Sequence, residues 1–144
     1  LMEDAWRRLK LSVQIATKLN RTHLLPAEET WLLPCLGRTE IDRQAGGPQT
    51  VTVEDSTACV HASRGVAKPA SEHLRSEPAI VAGMAKATLA PNPRVPWDDW
   101  VGDYGLVRDA IEHSFPEDFH DFRERMDTPG GFPRMLAARE RVWK

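Results

Sequence analysis

Two cysteines in 144 residues are too few for a disulfide framework. Cys35 and Cys59 stand far apart, with no CxxC pair and no cysteine–histidine cluster, which argues against a self-contained zinc site. No apolar run approaches the roughly 20 residues that span a bilayer, and no signal peptide opens the chain. Charge of one sign is scarce too. The formal net charge is −2 and Lys and Arg are spread along the sequence, so a nucleic-acid groove has little support. The glycine pairs Gly46-Gly47 and Gly130-Gly131 lack the GxGxxG or GxxxxGKS context that cradles phosphate, and read as turns. These absences lead to an expectation of a cytoplasmic protein with no membrane insertion and no nucleic-acid partner.

A hydrophobic content of 41% fits a globular domain, or a piece of a larger one. Both ends read as cuts: helix-like residues are already under way after Leu1-Met2, and Trp143 sits one residue from the end. Glu3 to Leu9 is a short helical piece, acidic residues first and basic ones after. Leu11-Ser-Val-Gln-Ile-Ala16 alternates apolar and polar, the mark of a strand. A loop over Thr17–His23, a turn at Ala27–Thr30 and a short apolar strand at Trp31–Leu33 follow. Strand, short crossover, strand suits an α/β layer with parallel pairing.

Thr50–Val53 alternates again, and residues 61–75 show no period and read as a long loop. Ser76 to Leu89 has the strongest helical pattern, with Ser76 as cap, Pro78 in the first turn and Ile80, Met84 and Ala87 as the apolar stripe. Trp100, Tyr104, Val107 and Ile111 predict one amphipathic helix from residue 97 to 111, weakened at Gly102 and Gly105. Pro116 opens a further helix with Phe119, Phe122 and Met126 inward, ended by Pro129-Gly-Gly131. The expected fold class is α/β, a partial Rossmann-like three-layer segment with a helical C-terminal half.

Several residues invite a chemical reading. Cys35, with Arg38, Glu40 and Asp42 nearby, has the residue types of a nucleophilic site, but no local histidine supplies a base, and a cysteine after an apolar strand is usually packing. Cys59 and His61 share a strand face, yet two ligands make no metal site. Glu54-Asp55 and Asp98-Asp99 do not read as acid/base pairs, because adjacent carboxylates on a strand point to opposite faces and Asp is a frequent helix cap before an apolar run. Thr17-Lys-Leu-Asn-Arg21 differs, because it follows a strand end where α/β proteins bind ligands and offers a hydroxyl, an ammonium, an amide and a guanidinium. It suits phosphate oxygens, and it equally suits a plain solvated loop.

The wording of the chain adds a resemblance. Thr17-Lys-Leu-Asn-Arg-Thr-His23, Leu33-Pro-Cys-Leu-Gly-Arg-Thr-Glu-Ile-Asp42, Val51-Thr-Val-Glu-Asp-Ser56, Val60-His-Ala-Ser-Arg-Gly65 and Ser76-Glu-Pro-Ala-Ile-Val-Ala-Gly-Met-Ala85 resemble the alpha subunit of formate-dehydrogenase-like molybdopterin oxidoreductases, in the dimethyl-sulfoxide-reductase superfamily. Later segments agree: Asp99-Trp100, Asp103-Tyr104, Val107-Arg-Asp109, Asp121-Phe122, Pro129-Gly-Gly-Phe132 and Arg139-Glu-Arg-Val-Trp143. The resemblance implies a fragment of a much longer oxidoreductase, its cofactor a molybdenum bis(molybdopterin guanine dinucleotide). A 4Fe-4S cluster and the metal-ligating residue belong to an earlier part of the parent polypeptide, which is the expected partner.

On this resemblance, residues 1–90 are part of the dinucleotide-binding α/β domain, and 91–144 a helical extension toward a C-terminal barrel. Thr17 and Lys18 fall where a Ser-Asp-like pair contacts a guanine dinucleotide. Glu40 falls on the acid of a Trp-x-Glu-like motif, and Glu77 on the acid that opens the next helix. Lys18 replaces an acid, which turns that contact toward phosphate. Ile41 replaces a cofactor-binding lysine, so the contact passes to Arg38 or Arg43. Cys35 and Cys59 match no metal-ligand position, and the chain alone is expected to be inactive. A half-sheet without its neighbours is also expected to dimerise or to dissolve poorly.

Overall fold

A computed structural model describes residues 2–133. The motif at Arg139–Trp143 therefore lies outside the described residues. The architecture is α/β. Helix α1 (Met2–Trp6) leads into strand β1 (Leu11–Ala16), which pairs in parallel with β2 (Glu29–Pro34), from Leu11 opposite Glu29 to Ala16 opposite Pro34. The crossover holds a 3-10 turn at Arg21–Leu24, capped by Asn20, whose side chain accepts the Thr22 N–H at 2.9 Å. Strand β2 begins at Glu29, so the expected turn at Ala27–Thr30 ends two residues early. The parallel ladder recruits Glu29 and Thr30 regardless of their polarity.

A tight hairpin, β3 (Arg43–Gln44) with β4 (Gly47–Pro48), turns through Ala45-Gly46 and enters β4 at Gly47, whose φ of +100° suits glycine. Strand β5 (Val51–Glu54) then pairs antiparallel with β6 (Cys59–Ser63). This corrects the long loop expected over 61–75, because His61 to Ser63 are strand and only 64–75 is irregular. The cause is local. Asp55 accepts the N–H groups of Thr57 (2.8 Å) and Cys59 (3.1 Å), and Ala58 turns through φ 60°. The reversal lays Val60, 3% exposed, onto the core.

Helix α2 (Glu77–Thr88) starts where its cap predicted, with Ser76 Oγ accepting the Ala79 N–H at 3.3 Å. Its apolar stripe is a correction: Ala82 is the buried residue, while Met84 is 42% exposed and Ala87 is exposed. The helix packs through Ala82 with Ile80 half-buried, while Val81 and Met84 are left outward.

The single helix expected from 97 to 111 is two, α3 (Trp97–Gly102) and α4 (Tyr104–Ser114). Asp103 leaves helical geometry and caps the second with a 2.8 Å bond from the Gly105 N–H, next to the weak glycines. The helix at Pro116 also divides, into α5 (Pro116–Phe119) and α6 (Phe122–Asp127). Asp121 sits at φ 50°, and Glu112 of α4 accepts the N–H groups of Asp121 (2.8 Å) and Phe122 (3.2 Å). A carboxylate from a neighbouring helix thus supplies the cap that the local sequence does not.

The core joins the two halves. Val60, Phe122, Met126 and Phe132 are its buried members, with Phe119 and Ile111 packed against them. Phe132 comes from β7 (Phe132–Pro133), which pairs with β6, so the helical half also contributes a strand. Phe122 and Phe132 meet edge to face with ring centres 5.8 Å apart, a geometry that aromatic rings prefer. Arg108 of α4, 8% exposed, reaches the Thr50 carbonyl and donates to Thr52 Oγ1 at 3.1 Å, tying α4 to β5. Burial lowers its pKa, and the nearby Arg123 adds to this. By contrast the β1–β2 pair leaves Leu11, Val13, Trp31 and Leu32 exposed. No described helix is long and apolar enough to cross a membrane.

Candidate functional site

The chain leaves β1 at Thr17 and β2 just before Cys35, both at the same end of a parallel pair. In α/β sheets that end is where loops diverge and a crevice opens. Here it borders a cavity of about 770 Å³. Thr17 and Lys18 line one side, Gly37 to Glu40 a second, and Ser76, Glu77 and Pro78 at the start of α2 a third, with β5 beneath. All four residues singled out from the sequence, Thr17, Lys18, Glu40 and Glu77, face this one space although 60 positions separate the first from the last.

Thr17, Lys18 and Glu77 are exposed and offer their polar groups freely; Glu40 is half-buried and already engaged. Its two carboxylate oxygens accept the Gly37 N–H at 2.7 Å and the Ala70 N–H at 2.6 Å. These bonds hold its carboxyl below the usual carboxylate range, Gly37 contributing first and Ala70 second. Glu40 thus clamps two loops together, a role its place in a motif did not indicate. The clamp is close: a Cβ on Gly65 would lie 1.9 Å from the Glu40 carbonyl oxygen. Of the two arginines that could replace the missing lysine, Arg38 lines this cavity and Arg43 lines an adjacent one.

A buried polar network forms the wall behind Ser76. Asp42, Gln49, Ser76 and Tyr104 are each less than 9% exposed. Tyr104 donates its phenol proton to Asp42 Oδ2, which leaves Ser76 to donate its own to the Tyr104 oxygen at 2.6 Å. Gln44 donates to the other Asp42 oxygen at 2.6 Å, and the Gln49 side chain accepts the Tyr104 N–H at 2.9 Å. Burial, then the hydrogen bond to Asp42, push the Tyr104 phenol far above its ordinary value. Sequence reasoning had placed Tyr104 in an apolar stripe. The signal it passed over is that a buried tyrosine needs a partner for its hydroxyl.

Cys35 is 4% exposed and packs at the strand end, with its N–H bonded to the Ala16 carbonyl at 3.1 Å. Burial and then the Glu77 charge push its thiol pKa up, the reverse of what a nucleophile requires. His61 approaches Asp55 at 3.9 Å. Among the described residues no three His, Cys, Asp or Glu side chains converge as a metal site would need. Asp98 lies in the first turn of α3 and pairs with Lys86 at 2.5 Å, and Asp55 caps the β5–β6 turn.

In sequence, the chain matches parts of longer proteins. The chain is similar to a part of Protein YdeP of Escherichia coli. The two are 53% identical over 136 residues, which is 94% of this chain and 18% of YdeP. It is 43% identical over 130 residues to proteins named Uncharacterized oxidoreductase Rv2900c, from Mycobacterium tuberculosis, and Mb2924c, from Mycobacterium bovis. That match takes in 90% of the chain and 17% of each mycobacterial protein. The chain therefore spans less than a fifth of the length of YdeP and these relatives. No family model and no solved structure matches it.

Proposed function

We propose that the chain is part of a molybdopterin-dependent oxidoreductase related to formate dehydrogenase alpha subunits, and that it helps to hold the molybdopterin guanine dinucleotide. The observation that carries this reading is the gathering of Thr17, Lys18, Glu40 and Glu77 around one cavity at the carboxyl ends of a parallel strand pair. The name oxidoreductase borne by the mycobacterial relatives supports the redox part.

The donor set suits a phosphorylated purine dinucleotide. Lys18 and Arg38 bring positive charge for phosphate oxygens, and Thr17 and Thr39 bring hydroxyl donors. Glu77 is free to accept N–H or O–H groups of a guanine or ribose, while Glu40 fixes the loop that carries Arg38. When bound, the cofactor's molybdenum supplies the electron transfer, and the protein's task is to hold and tune it. The remainder of the parent polypeptide, with its 4Fe-4S cluster and metal ligand, and a cytoplasmic setting belong to the same proposal.

The test uses the full-length parent protein. Molybdenum and acid-released guanine nucleotide are measured per chain, for the wild type and for Thr17→Ala/Lys18→Ala/Glu77→Gln. The wild type should contain both, and the triple variant roughly tenfold less of each (about 1.4 kcal/mol of lost binding). A parent free of molybdenum and guanine nucleotide would sink the reading.

A second reading, a non-catalytic interaction module, is favoured by one observation: Leu11, Val13, Trp31 and Leu32 stand 40–56% exposed on the parallel pair. It predicts a cofactor-free parent and self-association of the 144-residue chain through the sheet face shared by Leu11, Val13 and Trp31. Glutamates at Val13 and Trp31 would abolish this association.

A further inference from the structure

Behind the Asp42–Ser76 wall lies a second cavity, of about 600 Å³, whose charge balance is opposite to the first. The strand-end cavity holds Lys18 and Arg38 against Glu40, Asp42 and Glu77. The second holds Arg43, Lys68 and Arg75 against Glu72 and Asp42. The Asp42 oxygens are already occupied by Gln44 and Tyr104, so they offer little to a ligand or to the cations. Arg43 and Lys68 make no ion pair or side-chain hydrogen bond among the described residues. Among the described residues Arg75 uses only Nη1, on the carbonyls of Glu72 and Leu74.

The three cations are not on loose chain. Arg43 lies in β3, paired with Pro48 of β4. The Arg75 carbonyl accepts the Leu36 N–H at 2.9 Å, just after β2. Lys68 is held on both sides, because the Ala67 carbonyl accepts the Ile41 N–H at 2.8 Å and the Ala70 N–H is clamped by Glu40. Three anchored backbones place under-used cationic side chains around one concave space, and Ser71 adds a hydroxyl. Guanidinium groups and an ammonium in this arrangement match a compact polyanion whose several oxygens each need a donor.

We propose that this cavity binds the diphosphate or triphosphate group of a small ligand. The site adjoins the strand-end cavity and shares Leu36, Asp42 and Ser76 with it, but inorganic pyrophosphate probes it without any molybdenum cofactor, so its failure is distinguishable from that of the function proposed above.

The probe is inorganic pyrophosphate, titrated into the 144-residue chain at low salt, with binding followed by calorimetry and by amide shifts in two-dimensional NMR. Shifts should centre on Lys68–Ser71, Arg43 and Arg75 and spare Thr17–Leu19. Lys68→Gln and Arg43→Gln alter exposed side chains, so each should keep the wild-type amide spectrum while weakening binding about tenfold. Lys18→Gln should leave it unchanged. Absence of binding at millimolar pyrophosphate would overturn the proposal, as would a loss caused by Lys18→Gln and not by Lys68→Gln. Equal affinity for citrate would overturn the phosphate assignment.

Discussion

Tyr104 and Asp42, 62 residues apart in sequence, share a hydrogen bond inside the protein, the phenol donating to Oδ2. The pair joins the first residue of α4 to the loop after β2, and Ser76 at the start of α2 completes the junction. Replacing Tyr104 by Phe leaves a buried carboxylate oxygen without its donor and the Ser76 hydroxyl proton without its acceptor. Tyr104→Phe should therefore destabilise the fold by about 1–3 kcal/mol, read from the midpoint of urea unfolding. A change below a few tenths of that range would show that water fills the gap at no cost.

Glu40 makes the clamp between its two loops pH-dependent. Its folded pKa is depressed, so its stabilisation is fully present above the unfolded carboxyl value of roughly 4.3 and is lost as pH falls through the lower folded value. Amide exchange at Gly37 and Ala70 should accelerate in that acidic window beyond its ordinary pH dependence. Glu40→Gln should remove the extra dependence, since an amide does not titrate in that window. Asp55 and Asp109 also titrate low, but they sit in the β5–β6 turn and in the Arg123 pair, and their neighbouring amides serve as controls. Unaltered acid behaviour in Glu40→Gln would refute the clamp.

The two thiols should separate by reactivity. Cys35 is buried with a raised pKa, and Cys59 is half-buried. Iodoacetamide at mildly alkaline pH should modify Cys59 at least about tenfold faster, as peptide mass spectrometry would record. Comparable rates would return Cys35 to consideration as a reactive residue.

Two glycines should respond with opposite sign. Gly65→Ala drives a methyl group into the Glu40 backbone and must separate the clamped loops. It should cost well over about 1 kcal/mol. Gly83 lies mid-helix in α2 with nothing within 4 Å of an added Cβ. Gly83→Ala should stabilise by about 0.5–1 kcal/mol, seen as a higher melting temperature. Equal signs would mean that one of the two environments is wrongly described.

Local rules carried far in this sequence, and their failures share a cause. β1 is bounded where the alternation of Leu11–Ala16 begins and ends, and α2 starts at the Ser76 cap, because alternation and capping are written within a few residues. The breaks at Asp103 and at Asp121 depend on less visible partners. Asp103 trades helical geometry for one side-chain cap, and Asp121 is held by Glu112, nine residues earlier. The full extent of β6 is not legible locally, because its pairing residues lie on β5 and β7, and Phe132 is 72 positions beyond Val60. At the site, the resemblance picked out residues that the fold gathers around one cavity. The network of Asp42, Gln49, Ser76 and Tyr104 went unread, because no spacing rule links such distant positions.

The one-residue interruption between α3 and α4 has a mechanical meaning. Tyr104 commits its backbone N–H to Gln49 and its phenol to Asp42, and these partners flank the β3–β4 hairpin on either side. The hairpin is pinned at both feet by a single residue, so it cannot slide along α4 without breaking both bonds. Arg43 projects from that hairpin, and the register of one tyrosine thus sets where a cation stands in the cavity beside it.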